Sequence, residues 1–133
     1  MSQENVEAVQ RLAEAFNRGD VEGVLAAFDE TCELDEPPEM PDRPRQGFRG
    51  HDGIREWMAN LRGVGGVRFE PRDFTSSGDV VISEWASSGT GEASGVPFEW
   101  MTYVVVHMGS GKILRAQAFL SRAEALEAAG LSE

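Results

Sequence analysis

The spacing of apolar residues changes period once along this 133-residue chain, near Val67, and that change restricts the folds open to it. Before it, apolar side chains recur every three or four residues. Val6, Val9, Leu12, Ala13 and Phe16 form one such face, Val21, Val24, Leu25 and Phe28 a second, and Ile54, Trp57, Met58 and Leu61 a third. Each is the stripe of an amphipathic helix. Gly19 supplies a left-handed stop and Asp20 an N-cap, so the first two helices make a hairpin. A short strand, Cys32 to Asp35, precedes a stretch from Glu36 to Gly50 that holds Pro37, Pro38, Pro41 and Pro44. Proline cannot keep donating to a helix or a ladder, so a loop is predicted there. The third helix starts near Asp52, and Gly63, Gly65 and Gly66 end it.

From Val67 the period is two. Val67 and Phe69 alternate with Arg68 and Glu70, and strands follow over Val80 to Ser87, Phe98 to Met108 and Lys112 to Leu120. Turns at Ser76-Ser77-Gly78-Asp79, around Gly89, Gly91 and Gly95, and at Gly109-Ser110-Gly111 give hairpin spacing, hence a curved antiparallel sheet. Ser121 and Glu124 form a capping box that opens a last short helix, closed by Gly130. Helices first and a meander second is an α+β order, and the length suits one domain, 1–133.

Charge and missing motifs narrow the function. A net charge of −11 disfavours nucleic acid and anionic membrane surfaces, both of which need a basic face. No apolar run approaches the roughly 20 residues of a membrane helix, and the polar, acidic start is unlike an export signal. Cys32 is the only cysteine, which excludes an internal disulfide and fits a reducing cytoplasm. Neither HExxH, a histidine pair at helical spacing, GxGxxG nor a nucleophile elbow is present, so no metal, cofactor or serine triad is implied.

Asn17-Arg18-Gly19-Asp20 after the first helix, Gly50-His51-Asp52-Gly53-Ile54 at the third, Gly111-Lys112-Ile113 at the last strand and the ending Arg122-Ala123-Glu124-Ala125-Leu126 stand in a telling order. Together they resemble the nuclear transport factor 2-like superfamily, specifically its SnoaL-like and ketosteroid isomerase-like members. The resemblance implies a cone, in which the N-terminal helices pack on the concave face of the sheet and enclose an apolar pocket. It also implies a homodimer through the convex face. The scaffold hosts isomerases, cyclases, hydrolases, dehydratases and binding modules, so fold alone assigns no reaction.

By the same resemblance, Asp35 takes the place of the general-base aspartate, with Pro37 one residue later than in the family pattern. A carboxylate at the mouth of an apolar cone is suited to taking a proton from carbon beside a carbonyl. The residues equally allow a solvated acid among Asp29, Glu30, Glu33 and Glu36. Ketosteroid isomerases hold the enolate oxygen with a tyrosine and a protonated aspartate. Leu12 aligns with that tyrosine and Tyr103 with that aspartate, which leaves Tyr103 as the one donor, or as a core tyrosine. Losing one such donor costs about 10²–10³ in rate. If Tyr103 faces the cone, alternation sets Met101, Val105 and His107 beside it. Phe16, His51, Trp57 and Met58 complete the expected lining. Two readings stay open: a cofactor-independent isomerase or cyclase acting on a small apolar carbonyl compound through Asp35 and Tyr103, or a non-catalytic dimer that binds a small apolar molecule.

Overall fold

Helices α1 (Ser2–Arg18), α2 (Val21–Ala27) and α3 (Gly50–Gly65) form where the helical spacing predicts them. The computed structural model describes residues 2–37, 47–91 and 94–131. Between α1 and α2, Gly19 adopts φ +72°, and its N–H bonds to the Phe16 carbonyl at 3.0 Å. Asp20 then accepts from the Gly23 N–H at 3.0 Å, and that bond, with help from Arg18, lowers its carboxyl below the ordinary value. Phe28, counted above on the second helical face, instead caps α2 in extended geometry and opens the first strand.

The strands are β1 (Phe28–Asp35), β2 (Gly47–Arg49), β3 (Arg68–Ser77), β4 (Val80–Thr90), β5 (Pro97–Gly109) and β6 (Lys112–Phe119), followed by α4 (Arg122–Ala128). They form one sheet in the order β2-β1-β6-β5-β4-β3. Every pairing is antiparallel except β1 with β6, which is parallel. The β2 strand falls in the stretch expected to be loop; three residues are too few to show a period. It is fixed by burial of Phe48, 1% exposed, and by α3, whose Gly53 comes so near that a Cβ would stand 3.0 Å from the Phe48 backbone. Residues 38–46, the rest of the expected loop, lie outside the described residues.

Register divides the sheet into two faces. Leu34, Ala116, Val106 and Val81 stand opposite one another across four strands and belong to the large core beneath α1, α2 and α3. One residue along, Asp35, Gln117, Val105 and Ile82 stand opposite one another on the other face. There Ile82 and Val105 make a smaller core with Ala125 and Leu126 of α4. The helices thus cover the cone face, as expected, while α4 covers part of the reverse. No helix among the described residues is long and apolar enough to cross a membrane.

Candidate functional site

A recess lies between the helices and the cone face of the sheet, with a volume of about 50 Å³. Leu12 of α1, Trp57 of α3 and Phe69, Trp85, Thr102 and Val106 of the sheet form its buried wall. The lining residues that stay half-buried, Asp35, Glu36, Val104, Gln117 and Ala118, mark its rim. Sites for drug-sized ligands run to roughly 300–1,000 Å³, so the enclosed part suits only a small group. Aromatic packing accounts for the narrowness. Phe69 lies 4.6 Å from Phe16, 6.0 Å from Trp57 and 5.1 Å from Trp85 between ring centroids. Wider grooves beside α1, of about 420 and 400 Å³, are lined partly by charged residues such as Glu7, Arg11, Glu14 and Arg18 and hold no aromatic side chain.

The wall is not wholly apolar. Trp85 Nε1–H donates to Ser83 Oγ at 2.8 Å, a bond allowed because residues i and i+2 of a strand share a face. Trp57 Nε1 has no hydrogen-bond partner among the described residues. Cys32, also on the cone side, is buried, and desolvation pushes its thiol up, away from the reactive thiolate.

Of the residues expected to line the site, Trp57 does so. Phe16 stands behind it, with ring centroids 5.5 Å apart, and Met58 is buried in the same core away from the recess. His51 has a joining role: its Nε2–H donates to the Phe28 carbonyl at 3.0 Å, tying the start of α3 to the start of β1.

Tyr103, Met101 and His107 require correction, because all three stand on the α4 face. Tyr103 is opposite Glu84 and packs against the Ile82–Val105 core; Met101 is opposite Ala86, and His107 opposite Val80 and Arg115. Thr102, Val104 and Val106 face the recess in their place. Asp35 and Tyr103 are therefore not brought together around one cavity. Asp35 borders the recess by its strand position, but its carboxylate lies with the residues of the other face. There Arg49 Nη1 approaches Oδ1 at 3.3 Å and Arg115 Nη2 approaches Oδ2 at 3.5 Å. Arg49 also pairs with Glu33 at 3.3 Å.

The carboxylate missed by sequence reasoning is Glu36, which borders the recess one residue beyond Asp35 and directly before Pro37. The one-residue displacement of the proline was the available signal. On the α4 face, Glu84 lies 3.9 Å from Arg72. A hydrogen bond with Asp73, then desolvation, raises the Glu84 carboxyl above its ordinary value, while Arg72 and Tyr103 act in the opposite sense. No group of three or more histidine, cysteine, aspartate or glutamate side chains suited to a metal occurs among the described residues.

Solved structures match this fold closely. TerC, crystallised with polyporic acid, is 26% identical, with a TM-score of 0.80 over 93% of this chain and 96% of its own. A nuclear transport factor 2-like protein of unknown function from Burkholderia pseudomallei is 23% identical, with a TM-score of 0.80 over 96% of this chain and 97% of its own. A protein of ketosteroid isomerase-like fold from Catenulispora acidiphila, in complex with trimethylamine, is 18% identical, with a TM-score of 0.74 over 95% and 94%. No curated protein matches the chain. The family model of the SnoaL-like domain matches residues 9–116, from α1 through the middle of β6, and the chain belongs to that family.

Proposed function

We propose that this protein binds a small, mostly apolar molecule in the recess beneath α1 and α3. The observation that carries the reading is the distribution of polarity: buried Leu12, Trp57, Phe69 and Val106 in the wall, with the acidic residues Asp35 and Glu36 confined to the rim. Removing apolar ligand surface from water against such a wall yields roughly 25 cal/mol per Å². At about 50 Å³ the recess seats one end of the ligand, and the remainder lies along the half-buried rim. Relatives of the same fold crystallised with polyporic acid and with trimethylamine support a small-molecule role. A homodimer through the convex face belongs to the same reading, and sedimentation velocity measures it.

Titration with polyporic acid, followed by tryptophan fluorescence, tests the binding reading, since Trp57 and Trp85 stand in the wall. Wild type is expected to saturate. Ala118→Phe, which adds bulk at the rim while preserving the circular dichroism spectrum, is expected to bind at least about 10-fold more weakly, the equivalent of 1.4 kcal/mol. Equal binding by both proteins would remove the recess as the site.

A second reading, favoured by the position of Glu36 on the rim, is proton transfer at a carbon beside a carbonyl. Glu36 then takes the role expected of Asp35, and the product is an isomerised or cyclised carbonyl compound with no cofactor. Its signature is catalysed exchange of ketone α-protons in D₂O, read by proton NMR. Exchange at the buffer rate would end this reading and leave binding intact.

A further inference from the structure

The wall of the recess holds one hydroxyl among its lining residues, that of Thr102. Thr102 lies opposite Trp85 in the β4–β5 ladder, so its side chain leaves the strand on the cone face, where it is 6% exposed. Threonine branches at Cβ, and its short hydroxyl stays on that face in every staggered rotamer. The fully enclosed side-chain atoms that lack a partner among the described residues are Trp57 Nε1 and Ser87 Oγ. The Thr102 hydroxyl is not one of them, and no hydrogen bond joins it to another described residue. It therefore keeps contact with open space, which on this face of β5 is the recess. Neighbouring polar groups are committed: Trp85 Nε1–H donates to Ser83 Oγ at 2.8 Å, and Arg49 and Arg115 hold Asp35. Valine has nearly the shape of threonine without the hydroxyl, and β5 carries it at 104, 105 and 106. A hydroxyl kept from water with nothing to bond destabilises a fold. Threonine at this wall position is explained when its partner arrives with the ligand.

We infer that Thr102 is the polar anchor of the recess, donating its hydroxyl to an uncharged oxygen, such as a ketone carbonyl, at the inner end of the ligand. This rests on the binding reading above and specifies the chemistry of the ligand's inner end. A single neutral hydroxyl beside Trp85, Val104 and Val106 cannot replace the hydration of a carboxylate or an ammonium, so the group it takes is uncharged. A volume of about 50 Å³ admits an oxygen with a few carbons around it, while an apolar body extends past Val104 and Ala118 at the rim. A hydrocarbon end would leave the hydroxyl unmatched. Sites that hydrogen-bond a substrate group discriminate strongly against analogues lacking it for that reason.

Acetophenone and α-methylstyrene have nearly the same shape and differ in carrying C=O or C=CH₂, so they isolate the acceptor. Wild type is expected to prefer acetophenone by about 5- to 10-fold, the range of one net hydrogen bond. In Thr102→Val the preference should fall to near parity, with the affinity for α-methylstyrene held within about 3-fold, and Thr102→Ser should restore it. The urea midpoint of ligand-free Thr102→Val should equal or exceed that of wild type, which a hydroxyl bonded within the fold would not allow. In wild type the ¹³C carbonyl resonance of bound acetophenone should hold the downfield position of a hydrogen-bonded ketone, a readout that needs no variant. Equal affinities in wild type, or a carbonyl resonance at its position in cyclohexane, would overturn the inference and leave the binding reading standing. Preference retained by Thr102→Val, or a lowered urea midpoint in that variant, would likewise overturn it. So would failure of acetophenone to bind a wild type that saturates with polyporic acid. Failure of all three molecules to bind would remove the binding reading itself.

Discussion

Leu34, Ala116, Val106 and Val81 stand opposite one another on the cone face; one residue along, Asp35, Gln117, Val105 and Ile82 do the same beneath α4. The same strands therefore present two chemistries. The cone face buries aliphatic and aromatic side chains against three helices and keeps its carboxylate, Glu36, at the rim. The α4 face pairs its acids with guanidinium groups: Asp35 with Arg49 and Arg115, Glu33 with Arg49, and Glu84 with Arg72. This separation leaves a surface able to take an apolar molecule. An acid carried inward with its arginine would bring desolvation costs that the pair's attraction need not recover. The recess is thus lined by neutral side chains with Glu36 at its rim, while the Asp35 cluster ties β1 to its neighbours β2 and β6.

The largest expected contrast between the faces is in stability. Trp85→Ala removes a side chain 5% exposed at the centre of the large core and strands the Ser83 hydroxyl, at an expected cost of about 3–5 kcal/mol. Leu126→Ala truncates a residue equally well buried, 6% exposed, but in the small core under α4. With fewer neighbours to leave behind and a seven-residue helix free to resettle, its cost should lie near about 2 kcal/mol. Urea denaturation of the two variants checks the order. Equal losses would show that the α4 face holds the fold as firmly as the cone does.

The fold was legible because it rests on periodicity. The stripes Val9–Leu12–Phe16 and Ile54–Trp57–Leu61, and the alternation begun at Val67, are each dictated by one buried face. The site was legible only in part. Strand β5 carries Val104, Val105 and Val106 in succession, apolar on both faces because α4 covers the second, so alternation could not set its phase. Placing Tyr103 inward reversed every residue of that strand at once, since a shift of one exchanges the faces. Trp85 and Ser83 hold the missing information: a tryptophan with a hydroxyl two residues earlier marks the inward face of β4, and Thr102 and Val104 stand opposite them. The parallel pairing of β1 with β6 joins residues some eighty positions apart and leaves no local sign.

The next contrast sets two neighbouring carboxylates against each other. Asp35→Asn breaks ion pairs on the α4 face, where partly exposed bridges contribute about 0–1 kcal/mol, so stability should move by no more than that and ligand affinity should hold. Glu36→Gln changes a rim residue of the recess and should alter ligand affinity or α-proton exchange. Calorimetric titration and D₂O exchange on both variants decide the matter. A larger effect of Asp35→Asn on either measurement would return the functional role to Asp35 and break the division between the faces.

The smallest effect concerns the acids of the α4 face and is a slope with pH. Glu84 is hydrogen-bonded with Asp73 and faces Arg72 and Tyr103, and the Asp73 contact leads in raising its carboxyl above the ordinary range. Asp73 itself holds a left-handed φ of +55° at the irregularity of β3, where the ladder skips between Arg72 and Thr75. A raised carboxyl binds its proton more tightly in the folded chain than in the unfolded one. Its stabilisation is fully present below the unfolded value, about 4.3 for glutamate, and declines as pH rises through the folded value. Glu84→Gln mimics the protonated form and should flatten that decline. Urea midpoints taken from pH 4 to pH 7 for wild type and variant isolate it from the general repulsion of a chain of net charge −11, which both proteins feel almost equally. Parallel slopes would mean that the Glu84–Asp73 contact does not hold a proton in solution, and that the opposing pull of Arg72 outweighs it.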